Sequence, residues 1–507
     1  TTAAVTEAAK TEAETTAAAQ TEAGGEKNLV MPSASCVANL NPLLEGYKEA
    51  AMLNPIYDPL YVIDVNETRY YLADSYEVSE DGMQITVKLK EGLKWHDGEA
   101  ITADDMIFTM DVCSDTNNGA GGTNIVILND QPVKYEKVDD LTVKVTLPMA
   151  SASYADLLGG LTLIPEHVFE GNPSVVSAGE ANMKGIGSGP YKVTEFKQDE
   201  YLLLEKYEDY YMGAPSIDKV TFRIISDLSA QEVALMNGEV NFMELANAPA
   251  VAKYEADPNF TVVKYPEGRV NYLAVNKFCE TVQDPKVVEA VFAALNRDEI
   301  IAGAYGDGMA ESANSIFSNV NTFYDPSVEG YTQDVEKAKQ LVKETGLDSR
   351  TLTLYFNSER VYMKESAQII QQQLKNVGIN LEVIPLESAG FFEKVFGTDG
   401  DYEFYLNGYG AVGDPDQVVA GMYDGTWGVN LAVSDEVSQL WKDARTVYTP
   451  EERAAIYKQI QIQTRDELTC YPIAYPNYVF VTTSNIKGAD TIKRTPVFED
   501  YTKLTME

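Results

Sequence analysis

Histidine is nearly missing from this chain of 507 residues, which has two, and cysteine is scarce at four. Cys36, Cys113, Cys279 and Cys470 lie far apart with no CxxC pair, and His96 and His167 are the only histidines that could help them, so the sequence gives no sign of a metal centre built by the chain. A Ser-His or Cys-His nucleophile lacks its base for the same reason, which leaves only a carboxylate mechanism to any hydrolase reading. Positive charge is short too: 39 Lys and Arg face 78 Asp and Glu, a net charge of −39. With no basic stripe to displace phosphate counterions, the chain is not a nucleic-acid binder. No apolar run approaches the roughly 20 residues of a membrane span. Nor is there a charged-then-apolar leader, as expected either of a mature form or of a trimmed sequence. The four cysteines allow two disulfides in three pairings or, equally, buried reduced thiols, since a chain this large needs no staples.

What is present is enough apolar sequence to bury more than one core, and the length suggests two or three domains. Acidic residues spread over so large a surface act first as solubilising charge. Thr1 to about Lys27 consist almost wholly of Thr, Ala, Glu and Gln, with Val5 the only larger apolar side chain. Such a segment cannot offset its ordering entropy, so residues 1–28 are expected to form a disordered tether with a typical reach of about 30 Å.

The densest information lies between Leu72 and Met110. Ile85, Val87 and Leu89 alternate with Thr86, Lys88 and Lys90, the pattern of a strand with one buried face. Asp81-Gly82, Glu91-Gly92 and Asp97-Gly98 punctuate it with turns, and Thr102 with Asp105 three residues on reads as a capping box opening a helix. Leu141 to Leu147 is a second alternating strand. Gly185 to Tyr191 fails as a dinucleotide loop, because Pro190 replaces the third glycine, and as a nucleophile elbow, because Ile186 and Pro190 flank Ser188. Later, Asp284-Pro285 starts a helix, and Asp334 to Thr345 is another, stopped by Gly346. Leu352, Leu354 and Phe356 form a strand, Tyr362 to Val377 a helix ended by Gly378, and Ile379 to Ile384 a returning strand, a βαβ unit.

Taken together, Leu72-Ala73, Asp81-Gly82, Trp95-His96-Asp97-Gly98 and Thr102-Ala103-Asp104-Asp105 closely resemble the signature region of the family 5 extracellular solute-binding proteins, the oligopeptide, dipeptide and nickel receptors of ABC importers. Asn39 to Leu43, Leu163 to His167, Gly187 to Tyr191 and Glu208 to Pro215 extend the resemblance. It implies an α/β, two-lobed periplasmic-binding-protein-like fold of type II, cluster C, with an extra subdomain and a hinge of two crossing strands near Val262–Asn276 and Tyr471–Thr483. Residues 29–54, 181–267 and 474–507 would make lobe I, 55–180 its extra subdomain and 268–473 lobe II. In that setting Trp95, His96 and His167 are scaffold. Lys286-Val287-Val288-Glu289 stands where relatives carry an arginine pair.

The resemblance also implies a function: a lipoprotein on the extracellular face of a Gram-positive cytoplasmic membrane, anchored only through an N-terminal lipid. It would capture peptides by hinge closure, deliver them to the permease subunits of an ABC importer, and act as a monomer without cofactor or catalysis. An oligosaccharide or another small ligand is the alternative cargo, and a carboxylate-based hydrolase the alternative class. Ligand contacts are expected from Glu45 and Tyr47 on the early loop, Tyr362 at a strand-to-helix loop, and Tyr475 on the returning crossing strand. Tyr409, Asp414, Asp416 and Trp427 complete the set from the loop that resembles the family's amine-binding segment. There the family's aspartate falls on Ala411 or Val412, depending on where a one-residue gap is placed, which leaves Asp414 or Asp416 to supply the carboxylate. Any acid buried there must meet a cation.

Overall fold

In a computed structural model of the chain, residues 26–45, 52–63, 67–410, 412–424, 431, 433–491 and 500–507 are described. Most of the expected tether lies outside them, as do Tyr47, Ala411 and Trp427. The first strand begins at Asn28.

The alternation around Ile85 produces the strand Gln84–Leu89, whose Ile85, Val87 and Leu89 are buried. Each contributes roughly 1.5–3 kcal/mol by leaving water. It pairs antiparallel with Ala73–Val78 on one side and Thr142–Thr146 on the other, and Lys134–Asp139 completes a four-stranded sheet. Thr102 and Asp105 form the capping box, and the helix Ala103–Ser114 buries Met106, Phe108, Met110 and Val112 in the core shared with that sheet.

His96 fastens this unit to the glycine-rich segment that follows it. Its Nδ1 accepts from Gly187 N at 3.2 Å, and its Nε2 donates to Gly189 O at 2.9 Å, the arrangement of a neutral ring. Burial pushes its pKa down to about 4. Gly187 and Gly189 are glycine because a Cβ would sit 2.0 Å and 2.7 Å from the Pro55–Ile56 backbone, a packing requirement with no ligand in it. His167 bonds Asp97 at 2.8 Å. Asp58, buried beside the same segment, accepts from Tyr210 and Tyr211 hydroxyls at 2.8 and 2.7 Å, and burial pushes its carboxyl up to about 7.

A second four-stranded sheet sets Asn28–Ser33 parallel to Lys219–Ile224, followed by Tyr201–Lys206 and Tyr191–Lys197. The largest sheet is organised by one strand of 14 residues, Cys470–Thr483. Its first part, to Ala474, pairs with Arg269–Val275; from Asn477 onward it pairs with Phe260–Pro266. The two partners are separated by a turn at Gly268, where φ is +72°. Beyond Arg269–Val275 the order continues through Phe404–Gly410, Thr351–Asn357 and Asn380–Leu386. Thr351–Asn357 and Asn380–Leu386 are parallel and joined by the helix Val361–Asn376, so the βαβ unit forms as its sequence pattern predicts. One face of this sheet is covered by helices including Pro285–Ala294 and Val335–Thr345, the other by aromatic residues that include Tyr272, Tyr405, Trp441 and Tyr457.

All four cysteines are free thiols, so the disulfide alternative does not hold; burial pushes Cys113 and Cys470 up to about 12. Among the described residues no helix is long and apolar enough to cross a membrane, and no group of acids, histidines and cysteines is placed to hold a metal.

Candidate ligand-binding cleft

Strand direction sets where a ligand can be held. Thr351–Asn357 and Phe404–Gly410 run parallel, and Arg269–Val275 runs against them with Arg269 opposite Gly410. Asn357, Gly410 and Arg269 therefore share one edge of the sheet, the edge outside strand C-termini where α/β folds receive ligands. Three loops reach it: 358–360 before the helix Val361–Asn376, the segment around 412–414, and the turn at 267–268.

The loop expected to supply a carboxylate is already neutralised from within. Asp414 caps the short helix Pro415–Val418 and is 7% exposed. Arg453, 5% exposed, donates Nη1 to its Oδ2 at 2.5 Å and Nη2 to its Oδ1 at 3.0 Å, and Tyr457 OH donates to Oδ1 at 3.2 Å. Asp416 accepts from Arg445 Nε at 2.5 Å and Ser153 Oγ at 2.8 Å, while Arg445 Nη2 reaches Asp424 at 2.6 Å. The cation each acid meets is thus an arginine of the chain itself.

The same loop touches the segment Ala152–Asp156, far from it in sequence. Asp414 N donates to Asp156 Oδ2 at 2.9 Å, Gln417 Nε2 donates to Ser153 Oγ at 2.6 Å, and Ala152 N donates to Arg445 O at 3.1 Å. Burial, with the Asp414 charge nearby, pushes the Asp156 carboxyl up to about 6. Tyr448 lies over Gly82, where a Cβ would be 2.0 Å from its ring.

The remaining candidates are placed as follows. Tyr409 donates to Ile316 O at 2.6 Å and lies 3.0 Å from Tyr423 OH, half-buried against Tyr272. Tyr475 is 2% exposed, its hydroxyl accepting from Ser315 N and bonded to Asn314 Oδ1, both at 3.0 Å. Glu45 accepts from the amides of Ala38 and Asn39 and so closes its own loop. Tyr362 is at the cleft edge, stacked on Tyr305 with ring centroids 5.3 Å apart. Tyr47 and Trp427 lie outside the described residues. The Lys286–Glu289 segment pairs with the neighbouring helix, Lys286 with Glu344 at 2.9 Å and Glu289 with Lys337 at 2.6 Å.

Around Tyr362 the structure gathers polar groups with no motif to mark them. Arg360, the N-cap of the helix Val361–Asn376, makes no capping bond with its side chain and reaches Tyr362 OH at 3.4 Å. Arg269 donates to Asn271 Oδ1 at 3.2 Å and Gly408 O at 2.7 Å; Asn271 in turn donates to Tyr305 OH at 2.8 Å. Gly408 is needed there, since a Cβ would sit 2.0 Å from Asn271 Oδ1. Glu267 completes the group, half-buried and facing the Arg269 and Arg360 charges, with burial raising its pKa. The available signal was positional: Arg360 lies two residues before Tyr362, and Glu267-Gly268 is the turn between crossing strands.

Two groups of strands sharing one long strand, with loops from both sides meeting at a sheet edge, define a solute-binding fold. The chain belongs to the bacterial extracellular solute-binding proteins, family 5, whose model matches residues 67–430. It is similar to the ABC transporter substrate-binding protein CtaP of Listeria monocytogenes, whose crystal structure superposes with a TM-score of 0.88 at 33% identity, covering 95% of this chain and 99% of that one. The dipeptide-binding protein of Escherichia coli is 27% identical over 499 residues, 91% of this chain and 92% of the relative. The oligopeptide-binding protein AppA of Bacillus subtilis is 29% identical over 447 residues, 82% of this chain and 80% of that protein. The structure of AppA with a nonapeptide has a TM-score of 0.73, at 26% identity and with 95% of this chain and 99% of AppA covered. These relatives are receptors, and the chain is a solute-binding protein of the ABC-importer class, not an enzyme.

Proposed function

We propose that the chain captures peptides outside the cell and hands them to the permease of an ABC importer, closing two lobes about its crossing strands. The observation that carries this reading is the cleft edge itself. A stacked tyrosine pair, Tyr305 and Tyr362, lies beside the side chains of Arg269, Arg360 and Glu267 and the open amino end of a 16-residue helix. Helix amides and the Arg360 guanidinium suit a carboxylate, such as a peptide's C-terminus, and aromatic faces suit side chains of many kinds. The names of the Escherichia coli and Bacillus subtilis relatives support peptides as the ligand class.

Lobe I is assigned to 29–54, 181–267 and 474–507, its subdomain to 55–180 and lobe II to 268–473. Support comes from the long strand, which changes partners between Ala474 and Asn477, opposite the turn at Gly268. Contacts of Ser153 and Asp156 with Gln417, Asp416 and Asp414 are then the seal of the closed state. Anchoring through an N-terminal lipid on the extracellular face of the cytoplasmic membrane belongs to the same proposal, and the Thr-, Ala-, Glu- and Gln-rich composition of residues 1–27 supports it. Native mass spectrometry of protein taken directly from cells, followed by peptide titration after partial unfolding and refolding, tests the reading. Peptide adducts are expected; a retained sugar, or no binding across a broad peptide pool, would overturn it.

A further inference from the structure

We infer that the Glu267 carboxylate, on the turn between the crossing strands, receives the ligand's cationic end, and that the acids of the Gly413–Gln417 loop do not. This rests on the peptide-receptor reading above and adds the residue that takes the amine.

The first ground is which acids already have partners. Asp414 is held by Arg453, Asp416 and Asp424 by Arg445, and Asp156 by the Asp414 amide. Among the described residues the Glu267 side chain has neither hydrogen bond nor ion pair; only its backbone is engaged, N donating to Pro476 O at 2.9 Å. A carboxylate partly withdrawn from water costs several kcal/mol unless a cation or donors meet it. Among the described residues its two cationic neighbours act without touching it: Arg269 is held by Asn271 and Gly408, and Arg360 reaches Tyr362.

The second ground is position. Gly268 is covered by Val412, so closely that a Cβ there would lie 1.9 Å from Val412 Cγ2. Glu267 therefore stands at the mouth of the loop whose own acids are consumed, on the segment that bends if the lobes move. Tyr305, close enough to feel the Glu267 charge, stacks with Tyr362, and aromatic faces favour a cation. An amine bound here would touch the crossing directly and so link occupancy to closure.

The test offers wild type, Glu267→Gln and Glu267→Asp a random dipeptide pool with free amino termini, whose two ends are close enough to meet Glu267 and Arg360 together, and the same pool N-acetylated, with bound peptide counted by native mass spectrometry. Wild type is expected to prefer free amines by roughly 10- to 100-fold, the range of a charge-assisted bond. Glu267→Gln should abolish the preference and Glu267→Asp retain part of it, with melting temperatures confirming that both variants fold. A preference unchanged in Glu267→Gln, or its absence from wild type, overturns the inference and leaves the peptide reading standing. Capture of neither pool by wild type removes both.

Discussion

Arg453 grips Asp414 with both terminal nitrogens, at 2.5 and 3.0 Å, across 39 residues of sequence and with both side chains almost wholly out of water. The pair fixes the loop whose Asp414 amide meets Asp156.

Removing one partner should therefore be read in stability before binding. Asp414→Ala leaves the Arg453 charge buried and unpaired, and a loss of about 3–5 kcal/mol is expected in denaturant unfolding of the ligand-free protein. Replacing both by apolar residues, Asp414→Leu with Arg453→Leu, should cost less than the single change. A single variant as stable as wild type would show that the pair is not closed in solution.

Arg360 is expected to act on the ligand alone. Its side chain makes no ion pair among the described residues, so Arg360→Ala should leave the melting temperature within a degree or two. Affinity for peptides with a free C-terminal carboxylate should fall by about 10- to 100-fold, while C-terminally amidated peptides lose little. Calorimetric titration with both peptide forms checks this, and equal losses for the two would reassign the residue.

Buried Asp58 and half-buried His96 give opposite pH slopes. Asp58, with its folded pKa raised to about 7, binds more protons in the native state, so its contribution favours the fold at low pH and is lost as pH rises from 4 to 7. His96, lowered to about 4, binds fewer, so its contribution is present above 6.5 and lost as pH falls through 4. Denaturation from pH 4 to 8 should show stability rising more steeply with pH in Asp58→Asn than in wild type, and less steeply in His96→Gln.

The thiols offer a simple check. Buried Cys113 and Cys470, with pKa values pushed up to about 12, should resist alkylation at pH 8 in the native state, and half-exposed Cys36 should react first. Without reductant, the denatured protein should yield four thiols.

Much of the fold is legible in the residues because its determinants are local. The alternation at Ile85, Val87 and Leu89, the Thr102–Asp105 box and the Gly346 and Gly378 stops each act within a few positions. The cleft is legible only in part, because charge pairing is a property of three-dimensional packing. Nothing near Asp414 announces an arginine in the helix Pro450–Asp466, and nothing distinguishes Glu267 among 78 acids until its neighbours are seen to be otherwise engaged. Tyr362 is traceable from the sequence because a strand-to-helix loop follows from periodicity alone. Tyr475 reads as cleft-facing on its strand, yet its hydroxyl points into the turn at Asn314 and Ser315.

The most direct measurement of peptide capture by closure is small-angle scattering of protein cleared of retained cargo, before and after titration with the free-amine dipeptide pool. A smaller radius of gyration on addition, with one peptide bound per chain by native mass spectrometry, is the expected result. An unchanged radius with no peptide bound would contradict it.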